Sequence, residues 1–129
     1  MARILLIDDE DALREVLAMT LAQAGHLVIQ AADGKTGVEL FRIEPTDLVI
    51  TDIIMPGQEG IETIVALRRA LPKLPIIAMS GGTSHSRFYL EMADKLGAQR
   101  TLAKPFSATQ LLGAVSAVLA ARPSEERPR

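Results

Sequence analysis

Polar side chains follow four of the apolar, strand-length runs in this sequence of 129 residues, each where the run ends. They are Asp8 and Asp9 after the first run, Asp52 at the end of the third, Ser80 after the fourth and Lys104 after the fifth. Ligands of open α/β sheets bind at the carboxyl ends of the strands. We therefore expect these side chains to form one site of three carboxylates, a hydroxyl and an ammonium group.

Three neighbouring carboxylates favour a hard divalent cation. Each close pair repels by roughly 4 kcal/mol at an effective dielectric of about 20, and a bound cation relieves that repulsion. An all-oxygen site that keeps several waters suits Mg²⁺. Lys104 and Ser80 add donors for the oxygens of a phosphoryl group. In such a site one carboxylate can act as a nucleophile towards phosphorus, as in aspartyl-phosphate chemistry.

Each of these residues also has an ordinary structural explanation when taken alone. Acids such as Asp8 and Asp9 commonly cap a helix that begins nearby. Asp52 and Ser80 fit turn and loop positions, and a lysine before a proline is usually solvated. The combination favours the site, because these residue types stand at four strand ends and miss only the presumed edge strand.

Apolar runs alternate with segments of helical period, which is the pattern of a parallel α/β sheet. Five strand–helix pairs are predicted, with strands over 3–7, 26–31, 48–52, 74–79 and 99–103. The third strand is mostly apolar and rich in β-branched residues, so we expect it to be central and covered on both faces. The second strand has the weaker pattern expected at an edge.

Periodicity also assigns helix faces. On the first helix we expect a buried stripe of Leu13, Val16, Leu17, Thr20, Leu21 and Ala24. On the third helix the inward positions are Ile61, Ile64, Leu67 and Leu71. That arrangement leaves Arg68 and Arg69 in solvent. Gly25 and Gly97 are predicted to cap helices, and Ser107 begins the last helix with the spacing of a capping box.

Composition indicates one domain and excludes several functions. An apolar fraction of 48% can fill a core, and a net charge of −2 gives no basic stripe for nucleic acid. The chain has no cysteine and no run near the ~18 apolar residues of a membrane span. His26 and His85 lack ligand spacing, and we expect them at the surface. A cytoplasmic protein without membrane contact is expected.

Over about 3–121 the chain resembles the receiver domain of two-component response regulators. The shared motifs are the acid pair Asp8-Asp9, Asp52 followed by Met55-Pro56-Gly57, Ser80 at the fourth strand end, and Lys104-Pro105-Phe106. The resemblance implies an α/β, flavodoxin-like, doubly wound fold with a five-stranded parallel sheet in the order 2-1-3-4-5 and five helices. We expect a receiver domain over 1–121 and a disordered charged tail over 122–129.

The resemblance also implies a chemistry. Asp52 would accept a phosphoryl group from a phosphohistidine, in a signalling domain rather than an enzyme. Asp9 and Asp52 would bind Mg²⁺ with the backbone carbonyl of Ile54, and Asp8 would act through water. Lys104 and Ser80 would contact the phosphoryl oxygens, and the bond after Lys104 would be cis. The implied partners are a sensor histidine kinase or phosphotransfer protein, docking near the first helix and the loop after the fifth strand, and an unknown downstream protein.

One position departs from the receiver pattern. Receivers commonly carry Tyr or Phe three residues before the lysine, and this chain carries Thr101. Our hypothesis is that phosphorylation still occurs but that the aromatic relay is missing. The change at the face of the fourth helix, fifth strand and fifth helix would then be smaller or differently carried.

Other classes stay open at this point. A haloacid-dehalogenase-like phosphatase would use the D-x-D of Asp9 and Asp11, although Leu13 stands where that class usually has Thr or Val and Asp52 would have no role. A flavodoxin-like binding module needs a phosphate-cradling loop where this chain has acids. An unphosphorylated docking module is the third. The short tail and Met1 favour a complete single-domain regulator over part of a longer chain.

Overall fold

The computed structural model describes residues 1–53, 59–81 and 86–121, so His85 and the charged tail predicted over 122–129 lie outside the described residues. Its strands are β1 (Arg3–Ile7), β2 (Leu27–Ala31), β3 (Leu48–Asp52), β4 (Ile76–Gly81) and β5 (Arg100–Lys104). Its helices are α1 (Asp11–Gln23), α2 (Gly34–Ile43), α3 (Glu59–Ala70), α4 (Ser86–Lys95) and α5 (Ala108–Ala120). The strands form one parallel sheet in the order β2-β1-β3-β4-β5, which confirms the predicted fold class and topology. No helix in these ranges is long and apolar enough to span a membrane.

Two apolar layers cover the sheet, because successive side chains of a strand point to opposite faces. On one face, Leu5 and Ile7 of β1 share a buried cluster with side chains of α2, α3 and α4. On the other face, Ile4 and Leu6 share a cluster with side chains of α1 and α5. A sheet covered on both faces explains the mostly apolar sequence of β3 and leaves the strand ends for polar side chains.

The last two strands, β4 and β5, begin and end at later residues than the sequence pattern predicts. β4 begins directly after Pro75, which has no N–H to donate to the ladder, and it ends at Gly81. β5 ends at Lys104. In the parallel register Ser80 pairs with Ala103, and Gly81 pairs with Lys104. Ser80 and Lys104 therefore lie within strands rather than in loops.

The buried face of α1 is narrower than predicted. Leu17 and Leu21 are buried, whereas Val16 is 59% exposed and Met19 is 61% exposed. Val16 precedes Leu17 by one residue, which is about 100° around the helix. The prediction is therefore wrong for Val16 and for Ala24, which is also exposed, and Val16 and Met19 present apolar side chains to solvent.

The helix ends follow the predicted chemistry. Gly25 and Gly97 have φ values of 97° and 95°, a left-handed conformation that favours glycine after a helix. Ser107 Oγ accepts a hydrogen bond from the N–H of Gln110 at 3.0 Å, and Gln110 Oε1 accepts one from the N–H of Ser107 at 2.8 Å. These two bonds form the capping box of α5. The third helix ends one residue before Leu71, which is 37% exposed rather than inward.

Arg68 is not solvated as the periodicity predicts. Its guanidinium donates to the carbonyl oxygens of Leu74 and Gly97, both at 2.6 Å. It also donates to those of Pro72 at 3.1 Å and Leu96 at 3.3 Å. These carbonyls belong to the segments that follow α3 and α4. One side chain therefore joins the two connections that lead into β4 and β5.

We expect Arg68→Met to lower the free energy of unfolding by about 2–3 kcal/mol, because several backbone carbonyls lose a charged donor. Arg69→Met, at an exposed position of the same helix, is the matched control and is expected to change it by less than about 0.5 kcal/mol. Urea unfolding followed by circular dichroism measures both. Equal losses in the two variants would contradict the role given to Arg68.

His26 is half-buried and bonded to the start of the chain. Its Nδ1 atom accepts a hydrogen bond from the N–H of Ala2 at 3.2 Å. Burial, and then the positive charge of the N-terminus, lower the pKa of His26 below its usual value of 6.5. The folded protein therefore favours the neutral imidazole.

The lowered pKa of His26 makes the free energy of unfolding depend on pH, and the direction of that dependence follows from the shift. The unfolded chain binds a proton at His26 more readily than the folded chain does, so this contribution to stability is complete above about pH 6.5 and is lost as the pH falls below it. His26→Gln keeps an acceptor for Ala2 and removes the titration. We expect the urea midpoint to fall more for wild type than for His26→Gln between about pH 7.5 and about pH 5.5. Parallel declines in the two proteins would contradict this assignment.

Candidate functional site

Four of the five side chains singled out by the sequence lie at the ends of strands on one edge of the sheet, and the fifth, Asp9, belongs to the same cluster. Asp8 directly follows β1 and is fully buried, and Asp52 is the buried last residue of β3. Ser80 is fully buried near the end of β4, and Lys104 ends β5. The strands are parallel, so their carboxyl ends meet at the same edge. This is the convergence that the strand-end argument expects.

Lys104 joins the two buried acids. Its Nζ atom lies 3.0 Å from Asp8 Oδ2 and 3.0 Å from Asp52 Oδ2, and it donates a hydrogen bond to each. Burial of the ammonium lowers its pKa, but the charge of Asp52 and the hydrogen bonds to both acids outweigh burial and leave the pKa of Lys104 raised. Lys104 is therefore charged at neutral pH. Its interpretation as a solvated lysine is wrong.

Asp8 is bonded through both its backbone and its side chain. Oδ2 accepts from Lys104, Oδ1 accepts from the N–H of Glu10 at 2.9 Å, and the Asp8 N–H donates to the carbonyl of Ala31 at 3.1 Å. Glu10 is the N-cap residue of α1, and its side chain makes no capping hydrogen bond. Neither Asp8 nor Asp9 is therefore the N-cap residue of α1, whereas Asp11 lies in its first turn, where an acid favours the helix dipole.

Asp8, Asp9 and Asp52 lie close enough to share one cation. Their ligand atoms are all within 4.8 Å of one another, with Asp8 and Asp52 buried and Asp9 exposed. Three carboxylates and the ammonium of Lys104 leave two negative charges, which matches a divalent ion. All-oxygen donors with one side open to water fit Mg²⁺. The remaining predicted ligand, the carbonyl of Ile54, lies outside the described residues.

Ser80 contributes a buried polar atom that lacks a partner. Among the residues described, nothing forms a hydrogen bond with its Oγ. An unsatisfied buried hydroxyl costs about 1–3 kcal/mol, and in native structures such a group calls for an explanation, either a functional role or a bound water or ion. Asp52 pairs with Met79, so Ser80 follows the residue paired with Asp52 on the neighbouring strand. An anion held beside Asp52 would supply the missing partner.

Gly81 belongs to the site for a reason that the sequence does not reveal. A Cβ atom at this position would collide with the side chain of Lys104 and lie 3.0 Å from its Cα atom. Only glycine permits so close an approach. The sequence shows a glycine after Ser80, but its neighbour across the strands is 23 residues away in the sequence. Pairing with β5 is the information that identifies it.

The sequence matches the model of a known protein family that has such a site. The family model of the response regulator receiver domain matches residues 4–116, which include every site residue described above. The chain belongs to this family. Receiver domains act in phosphorelay signalling of two-component systems, so the chain is a receiver domain of that kind.

Curated relatives of this receiver domain are longer proteins. The transcriptional regulatory protein AfsQ1 of Streptomyces coelicolor is 34% identical over 119 residues, covering 92% of this chain and 52% of that protein. The DNA-binding transcriptional regulator NtrC of Rhizobium meliloti is 34% identical over 120 residues, covering 92% of this chain and 24% of that protein. The chain thus spans about half of one relative and about a quarter of the other.

Two solved structures match this receiver domain over nearly their full length. The chemotaxis protein CheY4 of Vibrio cholerae has a TM-score of 0.82 at 31% identity, covering 92% of this chain and 98% of that one. A response regulator receiver domain protein from Clostridium thermocellum has a TM-score of 0.86 at 28% identity, covering 93% and 95%. Both are similar to this chain in fold and in extent.

Two features around β5 bear on the receiver pattern. The Lys104–Pro105 peptide bond is cis, as the resemblance implies. Thr101, at the position where receivers commonly have an aromatic residue, pairs with Ala78 of β4 and is exposed. The receiver domain therefore has a short polar side chain where an inward-turning ring is usual.

Proposed function

We propose that Asp52 is the phosphoryl acceptor of this receiver domain and that it takes the group from a phosphohistidine of a sensor histidine kinase or phosphotransfer protein. The observation that carries the proposal is the bond of 3.0 Å between Lys104 Nζ and Asp52 Oδ2 within the carboxylate cluster. Asp52 lies on β3, between the strand that leads to Asp8 and the strand that carries Ser80. A phosphoryl group on Asp52 would therefore have cation ligands on one side and a hydroxyl donor on the other.

In the proposed reaction a carboxylate oxygen of Asp52 attacks phosphorus. The bond between phosphorus and the histidine nitrogen breaks, and the nitrogen keeps the electron pair. Lys104 and Ser80 then donate hydrogen bonds to oxygens of the transferred group.

Asp9 and Asp52, with the carbonyl of Ile54, would hold Mg²⁺, which supplies positive charge to the phosphoryl oxygens when bound. Both oxygens of Asp8 already accept hydrogen bonds, from Glu10 and Lys104, so Asp8 is expected to reach the ion through water.

The sensor protein is proposed to dock beside α1 and the segment after β5. A groove of about 470 Å³ lies there, bordered by Glu10, Leu13, Leu17, Gly81, Lys104, Pro105 and Phe106. Val16 and Met19 present exposed apolar side chains on α1. Lys104 borders the groove and contacts Asp52, so a partner seated there would lie one side chain away from the acceptor.

Intact-mass measurement after incubation with acetyl phosphate and Mg²⁺ tests the proposal. Wild type is expected to gain one phosphoryl group, and Asp52→Asn and a sample without Mg²⁺ are expected to gain none. Asp47→Asn is the control for loss of an acid elsewhere. A gain that survives Asp52→Asn but is lost in Asp9→Asn would support the phosphatase class instead. No gain by folded wild type would support an unphosphorylated docking module.

Thr101 leads to a separate proposal about the response to phosphorylation. A threonine cannot supply the ring movement that usually follows the hydroxyl of Ser80. We expect beryllofluoride, a phosphoryl mimic, to shift backbone amide signals near Asp52 strongly and those of α4, β5 and α5 only weakly. Thr101→Tyr is expected to enlarge the second set of shifts. Large shifts confined to that face in wild type would contradict this expectation.

A further inference from the structure

Arg14 of α1 binds three parts of the chain next to the acidic site. Nη1 donates to the carbonyl oxygen of Asp8 at 2.7 Å, and Nη2 lies 2.8 Å from Asp11 Oδ1. Nε donates to Gln30 Oε1 of β2 at 3.2 Å. The side chain is only 12% exposed, so its position is fixed by these contacts and by packing. One guanidinium therefore connects the end of β1, the first turn of α1 and the edge strand.

The bond to Asp8 acts on the peptide group that joins the two acids. A peptide group is planar, so holding the Asp8 carbonyl also fixes the direction in which the chain enters Asp9. On the other side of Asp9, the N–H of Glu10 is held by Asp8 Oδ1 at 2.9 Å. The backbone of Asp9 is thus restrained before and after the residue. In the part of the chain that the structure describes, no bond to the exposed carboxylate of Asp9 is seen, so its direction is set by that backbone and by its own rotamer.

We propose that Arg14 is a positioning residue that orients the Asp8–Asp9 peptide group and so presents the Asp9 carboxylate to the cation. The inference rests on the proposed function, because it assumes that the cluster of Asp8, Asp9 and Asp52 binds Mg²⁺. It assigns to Arg14 a part in cation binding that Arg14 performs without touching the ion.

If Arg14 acts only through its charge, replacing it changes the affinity for Mg²⁺ in one direction. If Arg14 orients a ligand of the ion, replacing it changes the affinity in the other. A guanidinium near the site repels Mg²⁺, so if only its charge mattered, replacing it with a neutral residue would tighten Mg²⁺ binding. Loss of a residue that orients a metal ligand weakens binding, typically by about 10–100-fold. A loss of affinity in a neutral variant therefore cannot come from removing the charge.

The test is Mg²⁺ titration of the full chain, followed by amide NMR shifts at constant ionic strength. We expect Arg14→Gln to bind Mg²⁺ at least about tenfold more weakly than wild type. Arg14→Lys keeps the charge and one donor for the Asp8 carbonyl, so we expect an affinity between the two. Arg3→Gln is the matched control, because Arg3 lies at the other end of β1 and bonds Glu44 at 3.0 Å; its affinity should equal that of wild type.

The outcomes separate this inference from the proposed function. Failure of wild type to bind Mg²⁺ would overturn the proposed function. Binding by wild type with equal or tighter binding by folded Arg14→Gln would overturn the role of Arg14 alone. If Arg14→Gln does not fold, the comparison of wild type with Arg14→Lys decides, since the charge is unchanged. Equal affinities of those two proteins would then overturn the inference.

Discussion

Lys104→Met is expected to slow phosphoryl uptake from acetyl phosphate by about 10²–10³-fold, because the transferred group loses a preorganised charged donor. The Nζ atom lies 3.0 Å from Asp52 Oδ2, where the proposed transfer would place negative charge. Uptake rates by intact mass at saturating Mg²⁺ measure the effect. Lys35→Met, at an exposed position of α2, is the control and should leave the rate unchanged.

Lys104→Met is also expected to lower the stability of the fold, an effect that can be measured separately from the rate of phosphoryl uptake. Without Lys104, the buried carboxylates of Asp8 and Asp52 lose their common partner, which is expected to cost about 1–3 kcal/mol of folding free energy. Mg²⁺ should therefore raise the urea midpoint of Lys104→Met more than that of wild type, because the ion replaces the missing positive charge. Uptake within about threefold of wild type in a folded Lys104→Met would contradict the role given to this residue.

Gly81→Ala is expected to abolish most phosphoryl uptake while leaving the sheet formed. The added Cβ would collide with the Lys104 side chain and crowd its backbone, so β5 must move or Lys104 must leave the two acids. A misplacement of about 1 Å at a reacting site costs about 10²-fold in rate. Destabilisation of about 1–3 kcal/mol is expected as well, from the overpacked strand pair.

Gly113→Ala provides the matched control for that variant. Gly113 lies within α5, and a Cβ there would meet nothing within 4 Å. Alanine in place of an interior helical glycine is expected to stabilise the protein by about 0.5–1 kcal/mol and to leave uptake unchanged. Urea midpoints and uptake rates of both variants should be compared. Equal uptake by Gly81→Ala and Gly113→Ala would show that the close approach of β4 and β5 does not position Lys104.

The sequence predicts the sheet and the site because both depend on strand ends. Strand-length apolar runs place Asp8, Asp52, Ser80 and Lys104 at known ends, and parallel pairing brings those ends together. The strand ends alone therefore identify the cluster of residues, without any knowledge of side-chain contacts. They do not reveal that Lys104 binds both buried acids at 3.0 Å.

The sequence does not predict hydrogen bonds between a side chain and backbone atoms of residues far along the chain. Arg68 occupies a position that helical periodicity assigns to solvent, yet it binds carbonyls as far away as Gly97. Arg14 binds the Asp8 carbonyl, and any residue type presents such an oxygen. Carbonyl partners leave no mark on residue type or spacing. The prediction of the buried face of α1 is wrong for a different reason. Val16 is apolar, but it lies beyond the edge of the buried stripe.

The position of the phosphoryl group on the chain distinguishes Asp52 from the other acids of the cluster as acceptor. An acyl phosphate on aspartate is reduced by borohydride to homoserine, so reduction of the phosphorylated full chain followed by peptide sequencing identifies the acceptor. We expect homoserine at position 52 alone, and none when Mg²⁺ is withheld. Homoserine at position 8 or 9, or none at position 52 in protein that has gained a phosphoryl group, would contradict this expectation.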